Sequence, residues 1–483
     1  MSLSKRAVSG LLWTFAQQFG AQAITFITSV ILARILLPSD FGLIGMLALF
    51  MGVGNVLIDG GLTNSLIRSQ DVDQSDYSSV FFINIIGSVV IYLIVFFCAP
   101  LISGFYHQPV LTGIIRVYTL SFIINAFATV QTTRLTRELK FKLQMLMQLP
   151  SLIISGTVGV ILALKGFGVW SLVWLNIINS IIFVSLHWLL SGWYPQWIFN
   201  KKKLLVHLNF GYKLTLSGTL DIVFENIYNI VIGRFFLASS LGFYTRAQTI
   251  SMLPVQSISA ALNKVTYSLF ATIQDDNIRL KKAYKTIMLA VVFWVTIVMI
   301  CLQVVSEPLF KLLLTTKWLP AVPYFKVLCI TAILYPLHLY NLNVLLVKGE
   351  AGLYLKLEVY KKIIIVIGVI TVTQFGIFGL LYFQVVFSVM AFFLNSWYSG
   401  RLIGYPVKEQ LKDLLPIFIT GVVTAAFCLF LQNFFTSLAL LSDLVRIIIM
   451  GATCFATYTC ISYIIKMPAL FDTFTLINKT DNT

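Results

Sequence analysis

Asp221 and Glu225 stand four residues apart in an otherwise apolar stretch, so a helix would carry both carboxylates on one face. Paired carboxylates at membrane depth share a proton or hold a sodium ion, or else they answer a cation on a neighbouring helix. Asp59, in Leu57-Ile58-Asp59-Gly60-Gly61, is a third acid of this kind. An ionisable group in the hydrocarbon costs at least about 2.5–3.5 kcal/mol, which makes each of the three an ion-coupling candidate. The basic counterparts are Arg34, Arg116, Arg234, Arg246 and Lys264. Several such groups around a water-filled cavity suit an anionic head group, because arginine grips phosphate through parallel hydrogen bonds. Arg34 has a structural alternative, since Asp40 follows six residues on across Pro38-Ser39. Six residues after Arg234 stands Ser240 instead of an acid. Ser39 and Asp40 also read as a helix N-cap.

The elements that must position these groups are membrane spans. Hydrophobic residues make up 58% of the 483-residue chain and charged residues only 11%, with a net charge of +16. Apolar runs of about 20 residues recur from end to end, the length a helix needs to cross a bilayer. They do not alternate as barrel strands do. The expected class is all-α: a polytopic membrane protein of about 14 helices. The first seven spans are 10–36, 41–66, 79–105, 111–133, 145–164, 168–190 and 209–233. The others are 241–271, 286–314, 321–346, 361–375, 377–399, 414–433 and 444–465. The first runs on past Ala21-Gln22-Ala23, too far for a signal-peptide core.

With these spans, one side of the membrane receives nine of the 34 lysines and arginines: Arg34, Arg116, Lys165, Arg234, Arg246, Lys311, Lys317, Lys326 and Arg446. All the rest fall on the side of the termini, which places both termini in the cytoplasm. The same rule explains the positive charge without nucleic acid. Every gap is short, so the sequence contains no inserted soluble domain.

The chain also repeats itself. Residues 31–42 read ILARILLPSDFG and residues 231–242 read VIGRFFLASSLG, with identity at Arg34/Arg234, Leu37/Leu237, Ser39/Ser239 and Gly42/Gly242. Both copies close a span on the same face, as in transporters built from two parallel lobes. The expected organisation is an N-terminal lobe (1–195, helices 1–6), a basic cytoplasmic linker (196–208) and a C-terminal lobe (209–400, helices 7–12). Two additional helices (401–466) and a cytoplasmic tail (467–483) follow.

Other motifs yield less. Asp71-Val72-Asp73 has the spacing of a metal–nucleotide DxD, but it stands in a short turn with no domain around it. The six cysteines lie in or beside apolar runs without a CxxC pair, and His107, His187, His207 and His338 suggest no metal site. The six glycines of span two permit either a hinge or close packing. The basic segment 134–142 is able to meet anionic lipid or a diphosphate at the inner leaflet.

Gly10-Leu11-Leu12-Trp13, ILARILLPSDFG at 31–42, LTRELKF at 135–141, KGFGVWSLV at 165–173 and IGRFFLASSLGFYTRA at 232–247 carry a family resemblance. In their order they resemble the Wzx-type polysaccharide exporters. These are O-antigen and colanic-acid flippases of the polysaccharide transport family, within the multidrug/oligosaccharidyl-lipid/polysaccharide flippase superfamily. The C-terminal third matches by hydropathy only. The resemblance implies two six-helix lobes around a cavity that opens alternately to each face of the bacterial cytoplasmic membrane. It implies an undecaprenyl-diphosphate-linked oligosaccharide as substrate, moved outward and coupled to a proton or sodium gradient, with no cofactor. The partners that follow are this lipid-linked substrate, membrane lipids, and a polysaccharide polymerase with its chain-length machinery. Two other readings compete. A cation-coupled drug antiporter of the same superfamily favours acids over the five bases gathered here. A polymerase or ligase enzyme would need a large outer loop, and the outer gaps are short.

Overall fold

A computed structural model describes the backbone of residues 3–434 and 441–472; side chains at 3–11, 260–265 and 267–268 also lie outside the description. Helices are joined by short connections, of which 191–200 is the longest described, with no strand among the described residues. Eleven of its helical stretches are long and apolar enough to cross a membrane. The protein is a multi-pass, all-α membrane protein.

The expected count of 14 is not confirmed. One of the eleven stretches, Ala351–Ile403, runs 53 residues. At ~1.5 Å per residue it would be more than twice as long as the ~30 Å hydrocarbon layer is thick. A 3₁₀ turn at Thr373–Phe375 and a left-handed Gly376 (φ 77°) break it where Gln374-Phe375-Gly376 marks a boundary in the sequence. The segments Lys201–Phe235 and Ala238–Thr272 are helical but are not among the eleven. Charged and hydroxyl residues, Asp221, Glu225 and Arg246 among them, dilute their apolar character.

By internal packing the chain divides into two compact units, Met1–Gly242 and Phe243–Thr483. The first begins with α1 (Leu3–Ile35), α2 (Pro38–Asp59), α3 (Leu62–Arg68), α4 (Gln74–Tyr106) and α5 (Leu111–Tyr118). It continues with α6 (Leu120–Arg137), α7 (Phe141–Leu164), α8 (Val169–Leu190), α9 (Lys201–Glu225) and α10 (Ile227–Phe235). Small residues let these helices meet closely, as membrane helices do. A Cβ on Gly156 of α7 would stand 2.7 Å from Thr28 of α1, and one on Gly159 would stand 2.7 Å from Leu175 of α8.

Three expected spans are interrupted in this unit. Gly60 (φ 54°) and Gly61 (φ 66°) take the left-handed conformation and separate α2 from α3. Thr119 separates α5 from α6, and Asn226 separates α9 from α10. The basic stretch Lys201–Lys203 is the first turn of α9, capped by Asn200, whose side chain accepts from Lys202 N (3.1 Å) and Lys203 N (3.2 Å).

After α11 (Ala238–Thr272), the second unit comprises α12 (Asn277–Val304), α13 (Ser306–Leu314), α14 (Val322–Val347), α15 (Ala351–Val372), α16 (Gly376–Ile403), α17 (Val407–Phe434) and α18 (Asp443–Ile464). Polar side chains bridge α14 to α16: His338 Nε2 meets Ser388 Oγ at 2.8 Å, and Ser399 Oγ donates to Asn341 Oδ1 at 2.5 Å. Ile300, Val304, Cys428, Met450 and Cys454 join α12, α17 and α18 in one core, where the cysteines serve as small buried side chains. Between α12 and α17, Lys285 pairs with Asp413 (2.6 Å), which also accepts from Oη of Tyr405 (2.6 Å), in the turn between α16 and α17. Burial, then this carboxylate, drives the Tyr405 hydroxyl well above its ordinary pKa.

Candidate functional site

The two copies of the repeated motif meet. A Cβ on Gly42 would lie 1.7 Å from the carbonyl oxygen of Ala238, and one on Gly242 would lie 1.8 Å from the carbonyl oxygen of Pro38. The two contacts exchange under a shift of 200 residues, as a local two-fold axis requires. Glycine recurs at both positions because two backbones touch there. Pro38 opens α2 and Ala238 opens α11, so the contact joins two helix starts. The N-cap arrangement differs from the Ser39/Asp40 expectation: Asp40 accepts from Leu37 N (3.0 Å), and the proline occupies the first turn, where its missing N–H costs nothing.

The five basic candidates are dispersed. Arg34 is exposed at the end of α1. Arg234, one residue from the end of α10, donates to the carbonyl oxygen of Phe105 and to the ring of His107, and lies 5.1 Å from the centre of the Phe105 ring. It thereby ties α10 to the C-terminal end of α4, where His107 caps the helix in the left-handed conformation. Arg116 of α5 sits over the Phe96 ring (4.4 Å) and donates from Nε to the Phe96 carbonyl oxygen (3.4 Å). That carbonyl has no helical donor, because the residue four places on is Pro100. Arg116 thus satisfies an acceptor that the proline leaves open. Arg246 is the one buried candidate among the four whose side chains are described, 9% exposed, with its guanidinium 5.7 Å from the centre of the Trp318 ring. Lys264 belongs to α11, and its side chain lies outside the described residues.

The acids are placed at helix breaks. Asp59 is the last residue of α2 and half-buried, not in the interior of a continuous span. Asp221 and Glu225 are both exposed on α9, with Glu225 at its C-terminal end. Asn226 forms the break: its Nδ2 donates to Ile222 O (2.9 Å) and its Oδ1 accepts from Asn229 Nδ2 (3.0 Å). Carboxylates at a helix C-terminus add to the negative end of the macrodipole, a setting that favours a cation.

A cluster that the sequence reading missed lies where α9 meets α3 and α4. Gly211 of α9 sits on the α2–α3 turn: a Cβ there would stand 1.9 Å from Gly60 O, and one on Gly61 would stand 2.6 Å from Gly211 Cα. One turn earlier, His207 Nδ1 is 2.7 Å from Ser65 Oγ and its Nε2 is 3.4 Å from Asp76 Oδ1. Another turn earlier, Lys203 Nζ donates to Asp76 Oδ2 (3.1 Å) and Asp73 Oδ2 (2.6 Å). Asp76 and His207 are each 4% exposed. Asp73 is the N-cap of α4, accepting from Ser75 N (2.9 Å) and Asp76 N (3.1 Å), so the DxD spacing serves a helix start. The Lys203 ammonium, then the Ser75 hydroxyl, hold the Asp73 carboxyl well below the ordinary carboxylate range. The same bond to Asp73 raises Lys203 above its ordinary value.

Arg137 closes the corner, donating to Ser69 O (2.9 Å), Gln70 O (2.5 Å) and Tyr77 Oη (3.1 Å). The basic segment that follows is largely self-paired, with Glu138 bonded to both Arg134 and Lys140 at 2.6 Å. Burial works against that carboxylate, but the two cations outweigh it and lower its pKa. The readable signals of the cluster were the capping spacing Asp73-x-x-Asp76 and the i, i+4 spacing of Lys203 and His207. Among the described residues, no group of three or more His, Cys, Asp or Glu is arranged to hold a metal ion.

Broken helices and a repeat whose copies touch define a multi-pass transporter fold. The structure is similar to the inward-closed lipid II flippase MurJ, with a TM-score of 0.77 at 15% identity, over 94% of this chain and 98% of that one. It is also similar to an inward-facing multidrug MATE transporter, with a TM-score of 0.60 at 15% identity, over 79% of this chain and 95% of that one.

The chain belongs to the family described as "Polysaccharide biosynthesis protein", whose profile matches residues 31–323, a window that contains both copies of the motif. It is 22% identical to the lipopolysaccharide biosynthesis protein WzxC of Escherichia coli K12 over 442 residues, 88% of this chain and 89% of that one. It is 25% identical to the teichuronic acid biosynthesis protein TuaB of Bacillus subtilis 168 over 434 residues, 88% of each.

Proposed function

We propose that the protein is a flippase that moves an undecaprenyl-diphosphate-linked oligosaccharide outward across the bacterial cytoplasmic membrane, for assembly of a surface polysaccharide. The observation that carries this reading is the end-to-end likeness to WzxC and TuaB, 88% of this chain in each case. The MurJ-like fold supports it, because that protein is named a lipid II flippase. The reading includes two six-helix lobes, with 196–208 between them and 401–466 as an addition, and both termini in the cytoplasm. It also includes hand-over of the product to a polymerase and its chain-length machinery.

Within this reading, the basic groups receive the diphosphate and the acids couple an ion. Of the basic candidates, buried Arg246 has the strongest claim, since a guanidinium is kept from water there at a cost. Arg116 and Arg234 have backbone carbonyls to satisfy, and Arg34 and Lys264 complete the set. For ion coupling, Asp221 and Glu225 in the last turns of α9 fit better than Asp59, because two carboxylates add there to the negative end of the helix dipole.

The test is a strain deleted for the gene and complemented with wild type, Arg246→Ala or Asp221→Asn/Glu225→Gln. Surface glycan and cytoplasm-facing lipid-linked repeat units are quantified at matched protein level. Loss of surface glycan with accumulated lipid-linked units in the deletion is the expected result. Normal glycan with altered sensitivity to toxic cations would replace this reading by the antiporter that the MATE likeness allows.

A further inference from the structure

We propose that Ser65, His207, Asp76 and Lys203 form a proton-binding site that locks α9 onto the α3–α4 corner. The inference deepens the flippase reading by giving its movement a protonation step at a site outside the acids weighed above.

The chemistry follows from the two ring nitrogens. With the neutral ring's proton assigned to Nε2, beside Asp76, Nδ1 is left to accept the Ser65 hydroxyl proton. When a proton arrives at Nδ1, the hydroxyl turns and accepts instead of donating. That turn frees the Ser65 hydroxyl proton from Nδ1, so the serine reports the protonation state of the ring. No other bond forms or breaks.

The charge balance changes with that proton. Asp76 faces His207 from the first turn of α4, Asp73 at its N-cap is bonded to Lys203, Ser65 and Arg68 lie on α3, and Lys203 lies on α9 itself. Arg68 is turned toward Phe210, 4.8 Å from its ring, and Arg137 of α6 is turned onto Ser69, Gln70 and Tyr77. The immediate set is thus two carboxylates and one ammonium, with a net charge of about −1 while His207 is neutral. Protonation brings it to zero and places an imidazolium against a buried carboxylate. Buried Leu204 and Tyr77 belong to the apolar cluster at this corner and limit its screening by water.

The position gives the proton mechanical consequence. His207 lies one helical turn before Gly211, whose backbone seats on the Gly60–Gly61 turn. If α9 lifts from α3 and α4, the Gly211 seat and the Asp76 and Ser65 bonds are lost together. In this proposal the Asp76 carboxylate outweighs the burial that opposes an imidazolium, so proton binding and closure favour each other and opening releases the proton, by the reciprocity that any linked equilibrium obeys.

The test uses the full-length protein in liposomes without substrate, so that it reads the joint and not glycan transport. Spin labels replace the exposed Ile67 of α3 and Val206 of α9, and their distance distribution is recorded from pH 5 to pH 8.5. The expected result is a shift toward longer distances as pH rises, with the open-to-closed ratio changing by up to about tenfold per pH unit, the limit for one proton. His207→Gln should abolish this dependence, and Ser65→Ala should move its midpoint. A second measurement needs no substitution in the cluster: diethyl pyrocarbonate modification of His207, located by mass spectrometry, should rise with pH more steeply than that of exposed His107. Retention of the wild-type distance titration in His207→Gln, or parallel modification of the two histidines, would overturn the proposal. Either outcome leaves the flippase reading to its own test.

Discussion

Gly42→Ala is the sharpest perturbation of the motif contact. The added Cβ would start 1.7 Å from the Ala238 carbonyl oxygen and 2.6 Å from its carbon. An ordinary contact needs about 3.2–3.4 Å, so the two backbones must part by roughly 1.5 Å. Neither side has a flexible side chain to give way, since the obstacle is main chain. Overpacking of this kind costs about 1–3 kcal/mol, which is roughly a 5- to 150-fold loss in the population of the closed contact. Gly242→Ala should act alike, because its Cβ meets Pro38 O at 1.8 Å. The two changes should be less than additive, since a contact opened by the first admits the second. Gly87→Ala provides the control: it lies in α4 with nothing within 4 Å of its Cβ, and should be neutral or stabilising by about 0.5–1 kcal/mol. Spin labels at exposed Leu37 and Leu237 report the separation, and thermal unfolding in detergent reports stability. Unchanged distances and stability in Gly42→Ala, with Gly87→Ala equally silent, would refute a backbone contact between the motifs.

Three further outcomes are expected. Arg116→Leu should destabilise by about 1–3 kcal/mol by leaving the Phe96 carbonyl unsatisfied, and adding Pro100→Ala should recover most of that by supplying an N–H; a thermal double-mutant cycle checks it. Asp73, held below its ordinary pKa of 3.8, contributes stability that is complete above that value and is lost as pH falls through the lower folded value. Asp73→Asn keeps a capping oxygen but removes the ion pair, so an acid titration of thermal stability should lose that limb. Arg234→Ala should free the end of α4 and increase proteolysis near His107 more than Arg34→Ala does, as read by limited digestion of membranes.

Much of the architecture is legible in the chain because the bilayer imposes it. Apolar runs of fixed length announce helices, and the break at Gln374-Phe375-Gly376 shows because glycine follows a polar interruption. The break at Asn226 does not show, since neither glycine nor proline marks it and a side-chain-to-backbone bond makes the turn. Asp59 reads as an intramembrane acid only while the helix is assumed to continue. Gly60 and Gly61 end it in the left-handed conformation, and Gly211 packs against that turn.

The sequence by itself determined the class of the protein: a helical membrane chain of the polysaccharide family, written twice around an arginine and a glycine. Hydropathy and motif order are local properties, and a lipid solvent leaves the backbone no choice but helix. Only the tertiary structure decided what the repeated residues do. Gly42 and Gly242 prove to be the points where two backbones touch, and Arg234 anchors a helix end. Arg116 answers a carbonyl that Pro100 cannot. Likewise, His207 and Asp76, 131 residues apart, become one buried pair. Such pairings depend on which helix faces lie together, and that is set by packing across the whole unit rather than by any local spacing.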